Sequence, residues 1–104
     1  MAYHVELSER AQRDIAAAYD YIAAEAPQAA IDFRYGLQER INFLKIFPQR
    51  CGLAPEDKYR DETIRQTFYK SYRILFILRG ETVHVVYIRH GARRELTAKE
   101  TGEL

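Results

Sequence analysis

Two runs of sequence, 71–79 (SYRILFILR) and 82–90 (TVHVVYIRH), decide the fold of this 104-residue chain. Both are rich in β-branched and aromatic residues, and Gly80 lies between them, as expected for two strands joined by a tight turn. A similar run at 62–69 ends at Lys70, so three consecutive strands are predicted to form an antiparallel meander. The uninterrupted apolar letters ILFIL at 74–78 indicate a central strand. It is covered either on both faces by this chain or on one face by a partner.

The sequence before this meander predicts one strand and two helices. Residues 2–7 alternate in polarity and are predicted to form a short strand. Ser8 is a suitable N-cap for a first amphipathic helix that continues to about residue 25. Pro27 is suited to open a second helix, and Phe47-Pro48 is expected to end it. The short connection between the helices predicts an antiparallel hairpin, and residues 48–61 are expected to form a loop.

The predicted order is therefore β-α-α-β-β-β in a single α+β domain spanning 1–104. We expect an antiparallel four-stranded sheet with the helical hairpin on one face, closed by pairing of the first strand with a later one. The polar segment 97–104 is expected to be a frayed tail.

The overall composition favours a chain that works in the cytoplasm. No apolar run is long enough to cross a membrane, and no signal peptide is recognisable at the N-terminus. A single cysteine, Cys51, fits a reducing compartment. The three histidines have no metal-ligand spacing, so neither a metal nor another cofactor is expected. The net charge is only +1, but residues 58–99 contain ten Lys/Arg and four Asp/Glu. This favours an anionic target for the sheet half, with the alternative that these are scattered, solvated charges.

Basic residues gather where the last predicted strand ends. Arg89 and His90 are followed by Gly91, which allows a sharp turn, and then by Arg93 and Arg94. We call Arg89, His90, Arg93 and Arg94 the basic corner and interpret it as an anion-binding rim. The alternative is that His90 only hydrogen-bonds the turn and the arginines are solvated. Arg73 opens the central strand, and a buried arginine is costly unless paired. It is expected either to bind an anionic group or to pair with Glu95 or Asp61.

The element order, the Tyr-Arg-Ile-Leu-Phe letters at 72–76 and the His-Gly-Ala-Arg corner at 90–93 together resemble the ParE/RelE superfamily of bacterial toxins. The resemblance covers about residues 3–96. It implies a toxin of a type II toxin–antitoxin module, neutralised by a cognate antitoxin, ParD-like or similar, in a hetero-oligomer. In this family the antitoxin wraps across grooves of the toxin. Tyr21, Ile31 and Tyr35 fall away from the core stripes of the helices and are the candidate antitoxin contacts, unless they pack under the 48–61 loop.

The resemblance leaves three functions open. RelE-like members cut mRNA on the ribosome with lysines on the second strand, two arginines and a C-terminal tyrosine. Arg73 and Arg93 match the arginines, but the second strand offers only Arg65, and no tyrosine follows Arg93. The ParE branch, which inhibits DNA gyrase without being an enzyme, therefore fits better. An inactive member that only binds the antitoxin is the third possibility. The candidate target-binding residues are Arg65, Arg73, Arg89, His90 and Arg93.

Overall fold

The structure is a computed structural model and describes residues 2–104. The strands are β1 (His4–Leu7), β2 (Ile64–Tyr69), β3 (Tyr72–Arg79) and β4 (Thr82–His90), and the helices are α1 (Glu9–Ala23), α2 (Pro27–Asn42) and α3 (Ala98–Gly102). Three short 3₁₀ turns, Phe43–Lys45, Pro48–Arg50 and Pro55–Tyr59, lie between α2 and β2. Within residues 2–104, none of the helices has the length and apolar character needed to cross a membrane.

The four strands form one sheet in the order β1-β4-β3-β2. The meander is antiparallel as predicted, with Ile74 opposite Ile88 and Thr67 opposite Ile74. The expectation of a fully antiparallel sheet is wrong at one edge, because β1 pairs with β4 in parallel, Val5 lying opposite Val83. The two helices between β1 and β2 carry the chain from the edge of the sheet formed by β1 to the opposite edge, formed by β2. The predicted α+β architecture with a helical hairpin is confirmed.

The helices begin where the sequence predicted. The Ser8 hydroxyl accepts a hydrogen bond from the Ala11 amide and caps α1, and it also donates to the Val86 carbonyl of β4. Pro27 stands at the first position of α2. Gly36 of α2 allows the Tyr69 hydroxyl of β2 to lie directly against the helix, where a Cβ atom would overlap it.

The sheet has a buried cluster on each face. Phe33, Leu37 and Ile41 of α2 pack with Phe76 and Val85 on the face that carries the helical hairpin. On the other face, the cluster consists of Ala54, Ile64, Leu75, Ile77, Val86, Tyr87 and Leu96. The central strand β3 is therefore covered on both faces by this chain, which explains its unbroken apolar sequence.

The C-terminal segment differs from the expected frayed tail. Residues 98–102 form α3, which begins with a capping box in which Thr97 and Glu100 bond each other's backbone amides. Thr101 is fully buried, and so is Leu96 just before the helix. The polar composition of 97–104 concealed the burial of Thr101. Leu96, which belongs to the cluster on the second face of the sheet, anchors the start of the segment.

Candidate functional site

The first predicted site residue, Arg73, is committed to an internal ion pair. Its guanidinium donates from Nη2 to Glu56 Oε2 at 2.8 Å and from Nη1 to Glu56 Oε1 at 3.1 Å. A third bond from Nη1 reaches Gln66 Oε1 at 2.9 Å. Arg73 is only 7% exposed and Glu56 is fully buried. Arg73 therefore forms an ion pair, as one of the two expectations had it, but the partner is Glu56 and not Glu95 or Asp61. Because it is buried, Arg73 does not lie on an open face that could contact a target.

Glu56 also fixes the C-terminal segment. Its Oε2 accepts a hydrogen bond of 2.9 Å from the Leu96 amide. Burial alone raises the pKa of the Glu56 carboxyl, but the hydrogen bonds from Arg73 and the Leu96 amide outweigh burial and hold the pKa below its ordinary value. The carboxylate thus stays charged and joins the Pro55–Tyr59 turn, β3 and the chain before α3. Sequence reasoning missed this residue, since a glutamate in a proline-rich loop gives no signal of burial.

Arg89 is likewise held inside the protein. Its Nε donates to the Arg94 carbonyl at 2.8 Å, and its guanidinium lies 5.7 Å from the centre of the Tyr87 ring. Arg89 is 6% exposed, so it stabilises the basic corner from inside the protein rather than contacting a target directly.

His90 is used by the turn that follows β4. Its Nδ1 accepts a hydrogen bond of 3.0 Å from the Ala92 amide, and its ring meets the Tyr72 ring edge-on at 5.1 Å between centroids. The Gly91 amide donates to the Ser71 carbonyl, which would lie 3.2 Å from a Cβ atom at position 91. These contacts favour the turn-stabilising interpretation of His90 over a role in proton transfer.

Arg93 is the cation that this corner presents to solvent. Its backbone amide donates to the His90 carbonyl, while its exposed side chain enters no hydrogen bond or ion pair within residues 2–104. The neighbouring Arg94 is also exposed but is paired with Glu100 at 2.8 Å. Arg65 lies elsewhere, opposite Phe76 in the sheet, with its guanidinium bonded to the Cys51 carbonyl at 2.7 Å. The structure therefore brings Arg89, His90 and Arg93 together and separates Arg65 from them. Arg73 lies opposite Arg89 in the sheet, but its guanidinium is taken up by Glu56.

The three candidate antitoxin contacts are all exposed on the helical hairpin. Tyr21 is 81% exposed, Tyr35 72% and Ile31 39%, so the loop at 48–61 does not cover them. Ile31 and Tyr35 line a groove of about 420 Å³ together with Tyr19, Arg34 and Gln38. We call Tyr21, Ile31 and Tyr35 the hairpin patch.

One residue of the hairpin patch, Tyr21, interacts electrostatically with Tyr72. Burial raises the pKa of the Tyr72 hydroxyl, and the nearby hydroxyl of Tyr21 raises it further. Tyr72 in turn packs against His90.

Residues 2–104 contain no group of three or more His, Cys, Asp or Glu side chains arranged to hold a metal ion. The arrangement instead offers one free guanidinium beside a structured turn and an exposed aromatic patch. Both are features of a binding surface.

Comparisons with known proteins agree with this architecture. The family model of the ParE toxin of the type II toxin–antitoxin system, parDE, matches residues 5–95. This chain therefore belongs to the ParE toxin family.

A solved chain from the chromosomal ParDE toxin–antitoxin system of P. aeruginosa has the same fold, with a TM-score of 0.72 over 86% of this chain and 96% of that chain. The two sequences are 15% identical, so this likeness concerns the fold alone. A search of curated proteins found no match.

Proposed function

We propose that this ParE-family toxin acts in the cytoplasm, where it inhibits cell growth by binding DNA gyrase. We propose also that it does so without cutting RNA. The observation that carries the proposal is the state of the two arginines shared with RelE-like nucleases. Arg73 is neutralised by Glu56 inside the protein, whereas Arg93 is exposed and has no partner within residues 2–104. A single free guanidinium suits recognition of a carboxylate or phosphate but supplies no general acid or base.

In this proposal the turn after β4 presents Arg93 to the target. His90 and Gly91 hold the turn through their bonds to Ala92 and Ser71, and Arg89 holds it through the Arg94 carbonyl. These side chains keep the Arg93 backbone in one position, so less conformational entropy is lost when the guanidinium binds. Arg93 is the contact residue, and Arg89 and His90 are positioning residues.

Neutralisation by a cognate antitoxin fits the place of the hairpin patch. Exposed aromatic side chains are the usual anchors of a protein interface. Tyr21 interacts electrostatically with Tyr72, and Tyr72 packs on His90. An antitoxin segment seated on Tyr21 would then extend towards the turn that carries Arg93. The hairpin patch would thus bind the antitoxin and, in doing so, allow the antitoxin to block the toxin's contact with its target.

Induced expression of the chain without an antitoxin tests the target. Gyrase inhibition leaves DNA ends or unrelieved supercoils, so cells should form filaments and induce DNA-damage signalling while mRNA remains intact. Codon-linked mRNA cuts at the ribosome would instead assign the chain to the nuclease branch. Normal growth at full expression would indicate an inactive member of the family.

A further inference from the structure

A second exposed apolar surface lies on the outer side of β2. It includes no residue of the basic corner or of the hairpin patch. Five large apolar side chains there are more than half exposed: Phe43 (66%), Ile46 (59%), Phe47 (59%), Leu53 (55%) and Phe68 (51%). Four of them, all but Leu53, line a groove of about 410 Å³. We call these five residues the edge surface. Apolar groups of this size grouped on one side of a small protein indicate a docking site.

The charge around the edge surface is of one sign. Residues 40–55 and 63–70, which build it, contain no Asp or Glu. They contribute five cations: Arg40, Lys45, Arg50, Arg65 and Lys70. None of the five takes part in an ion pair within residues 2–104. The guanidinium groups of Arg40 and Arg50 lie 6.0 and 5.8 Å from the rings of Phe43 and Phe47, so cations and apolar groups are interleaved.

Phe47 presents its side chain from a strained backbone. Its φ and ψ angles are 52° and 56°, in the left-handed region that bulky residues avoid, and the following residue is Pro48. Glycine would adopt these angles without strain. A phenylalanine that is both strained and mostly exposed contributes little to folding, which points to a use outside the fold.

The backbone of β2 is also open beside this surface. β2 is an edge strand, and residues 52–54 cover only its first half, through bonds from Ala54 to Ile64 and from Gln66 to Gly52. Alternate residues of a strand direct their backbone groups to the same side, so Phe68 is the next residue to face this edge. No neighbouring segment pairs with that half of the edge within residues 2–104. Such an edge can accept an added strand.

We propose that the edge surface binds an extended segment of a partner protein in which acidic and aliphatic residues alternate. The aliphatic side chains would pack among Phe43, Phe47 and Phe68, and the acidic ones would pair with the surrounding cations. A second copy of this chain fits poorly, because it would bring the same five positive charges into contact. Nucleic acid fits less well because Ile46 and Leu53 are aliphatic and the strand edge offers backbone bonds that a peptide satisfies. The proposal does not depend on the gyrase target or on the hairpin patch.

The test uses a fluorescein-labelled peptide of about ten residues, in which Glu alternates with Val or Leu, and measures its binding to the purified chain by anisotropy. Phe47→Gly removes the aromatic ring and relieves the backbone strain, so it should melt at the same or a higher temperature and yet bind about tenfold more weakly or worse. Arg40→Gln with Arg50→Gln should weaken binding to a similar extent and reduce its salt dependence. Tyr35→Ala is the matched control, an exposed aromatic on the hairpin patch, and should bind normally.

Each alternative occupant has its own readout. The same peptide with Lys in place of Glu should not bind. If an oligothymidylate of about ten nucleotides binds more tightly than the acidic peptide, the edge surface is a nucleic-acid site and the proposal is wrong. A dimer in sedimentation that is lost in Phe47→Gly would assign the surface to a second copy. Failure of the acidic peptide to bind, or unchanged binding in Phe47→Gly, would also overturn the proposal.

Discussion

Arg73 and Glu56 are joined by two parallel hydrogen bonds, of 3.1 and 2.8 Å, in a place almost closed to solvent. The pair links the centre of the sheet to the turn at Pro55–Tyr59 and, through the Leu96 amide, to the segment that leads into α3. An arginine whose sequence position suggested target binding is thus part of the scaffold. Arg73 therefore belongs to the residues that stabilise the fold and not to those that are free to bind a target.

Removal of one member of this pair should be far more damaging than removal of both. Glu56→Ala leaves the Arg73 guanidinium buried without its counter-charge, and we expect a loss of about 3–5 kcal/mol in the free energy of unfolding. Arg73→Met combined with Glu56→Leu should recover most of that loss, because neither buried charge remains. Urea unfolding of the three proteins measures the difference. A loss below about 1 kcal/mol for Glu56→Ala would show that the pair is not buried in solution.

Acid should destabilise the protein through its paired carboxylates. Hydrogen bonds from Arg79 and then Arg60 lower the pKa of Glu62 from 4.5 to about 2 in the folded state. Because the folded pKa lies below the unfolded one, this contribution is present above pH 4.5 and is lost as the pH falls towards 2. Glu62→Gln should therefore flatten the fall in melting temperature over this range. Glu25→Gln, at an exposed residue outside the ion pairs of residues 2–104, is the control and should leave the slope unchanged. Equal slopes in Glu62→Gln and wild type would contradict the assignment.

The two faces of β3 should be equally important for stability. Phe76 belongs to the cluster under the helical hairpin and Ile77 to the cluster on the opposite face, and both are within 1% of full burial. Truncating either one to alanine should cost roughly 2–5 kcal/mol, as measured by chemical unfolding. Phe68→Ala, at an exposed position of β2, should cost less than about 1 kcal/mol. If Ile77→Ala is as mild as Phe68→Ala, the second face is not a core.

The hairpin patch should carry antitoxin affinity. Buried aromatic anchors usually contribute about 2 kcal/mol or more each when an interface forms. Tyr21→Ala with Tyr35→Ala should therefore weaken binding of the cognate antitoxin by about tenfold or more, measured by calorimetry on protein shown to be folded by circular dichroism. The antitoxin affinity of Phe47→Gly is measured for comparison, since Phe47 lies on the edge surface and not on the hairpin patch. Unchanged affinity in the double variant would remove Tyr21 and Tyr35 from the interface.

Local sequence signals predicted most of the fold because they correspond to local physics. Ser8, Pro27 and Gly80 act through their own backbone neighbourhood, and each stands where the sequence predicted a cap, a helix start or a turn. The parallel pairing of β1 with β4 was missed because β1 is separated from the meander by both helices. Its short alternating pattern carries no information about strand direction.

The site was predicted less well, since burial of a charge depends on distant partners. Arg73 and Glu56 are seventeen positions apart, and nothing in either local sequence indicates that they meet. The same applies to Thr101, which is buried in a segment of polar composition. Exposure of Tyr21 and Tyr35 was predictable because it follows from helical periodicity alone.

In the proposed function, the exposed Arg93 binds DNA gyrase and the chain does not cut RNA. The most direct measurement is gyrase supercoiling with purified protein, repeated with Arg93→Ala, Arg93→Lys and His90→Gln. Wild type should inhibit supercoiling, Arg93→Ala should not, and Arg93→Lys should be intermediate, because lysine keeps the charge but not the planar fork. His90→Gln should retain most inhibition, since glutamine can still accept the bond from Ala92 whereas it cannot transfer a proton. Unimpaired supercoiling together with mRNA cleavage in the ribosomal A site that His90→Gln abolishes would contradict the account.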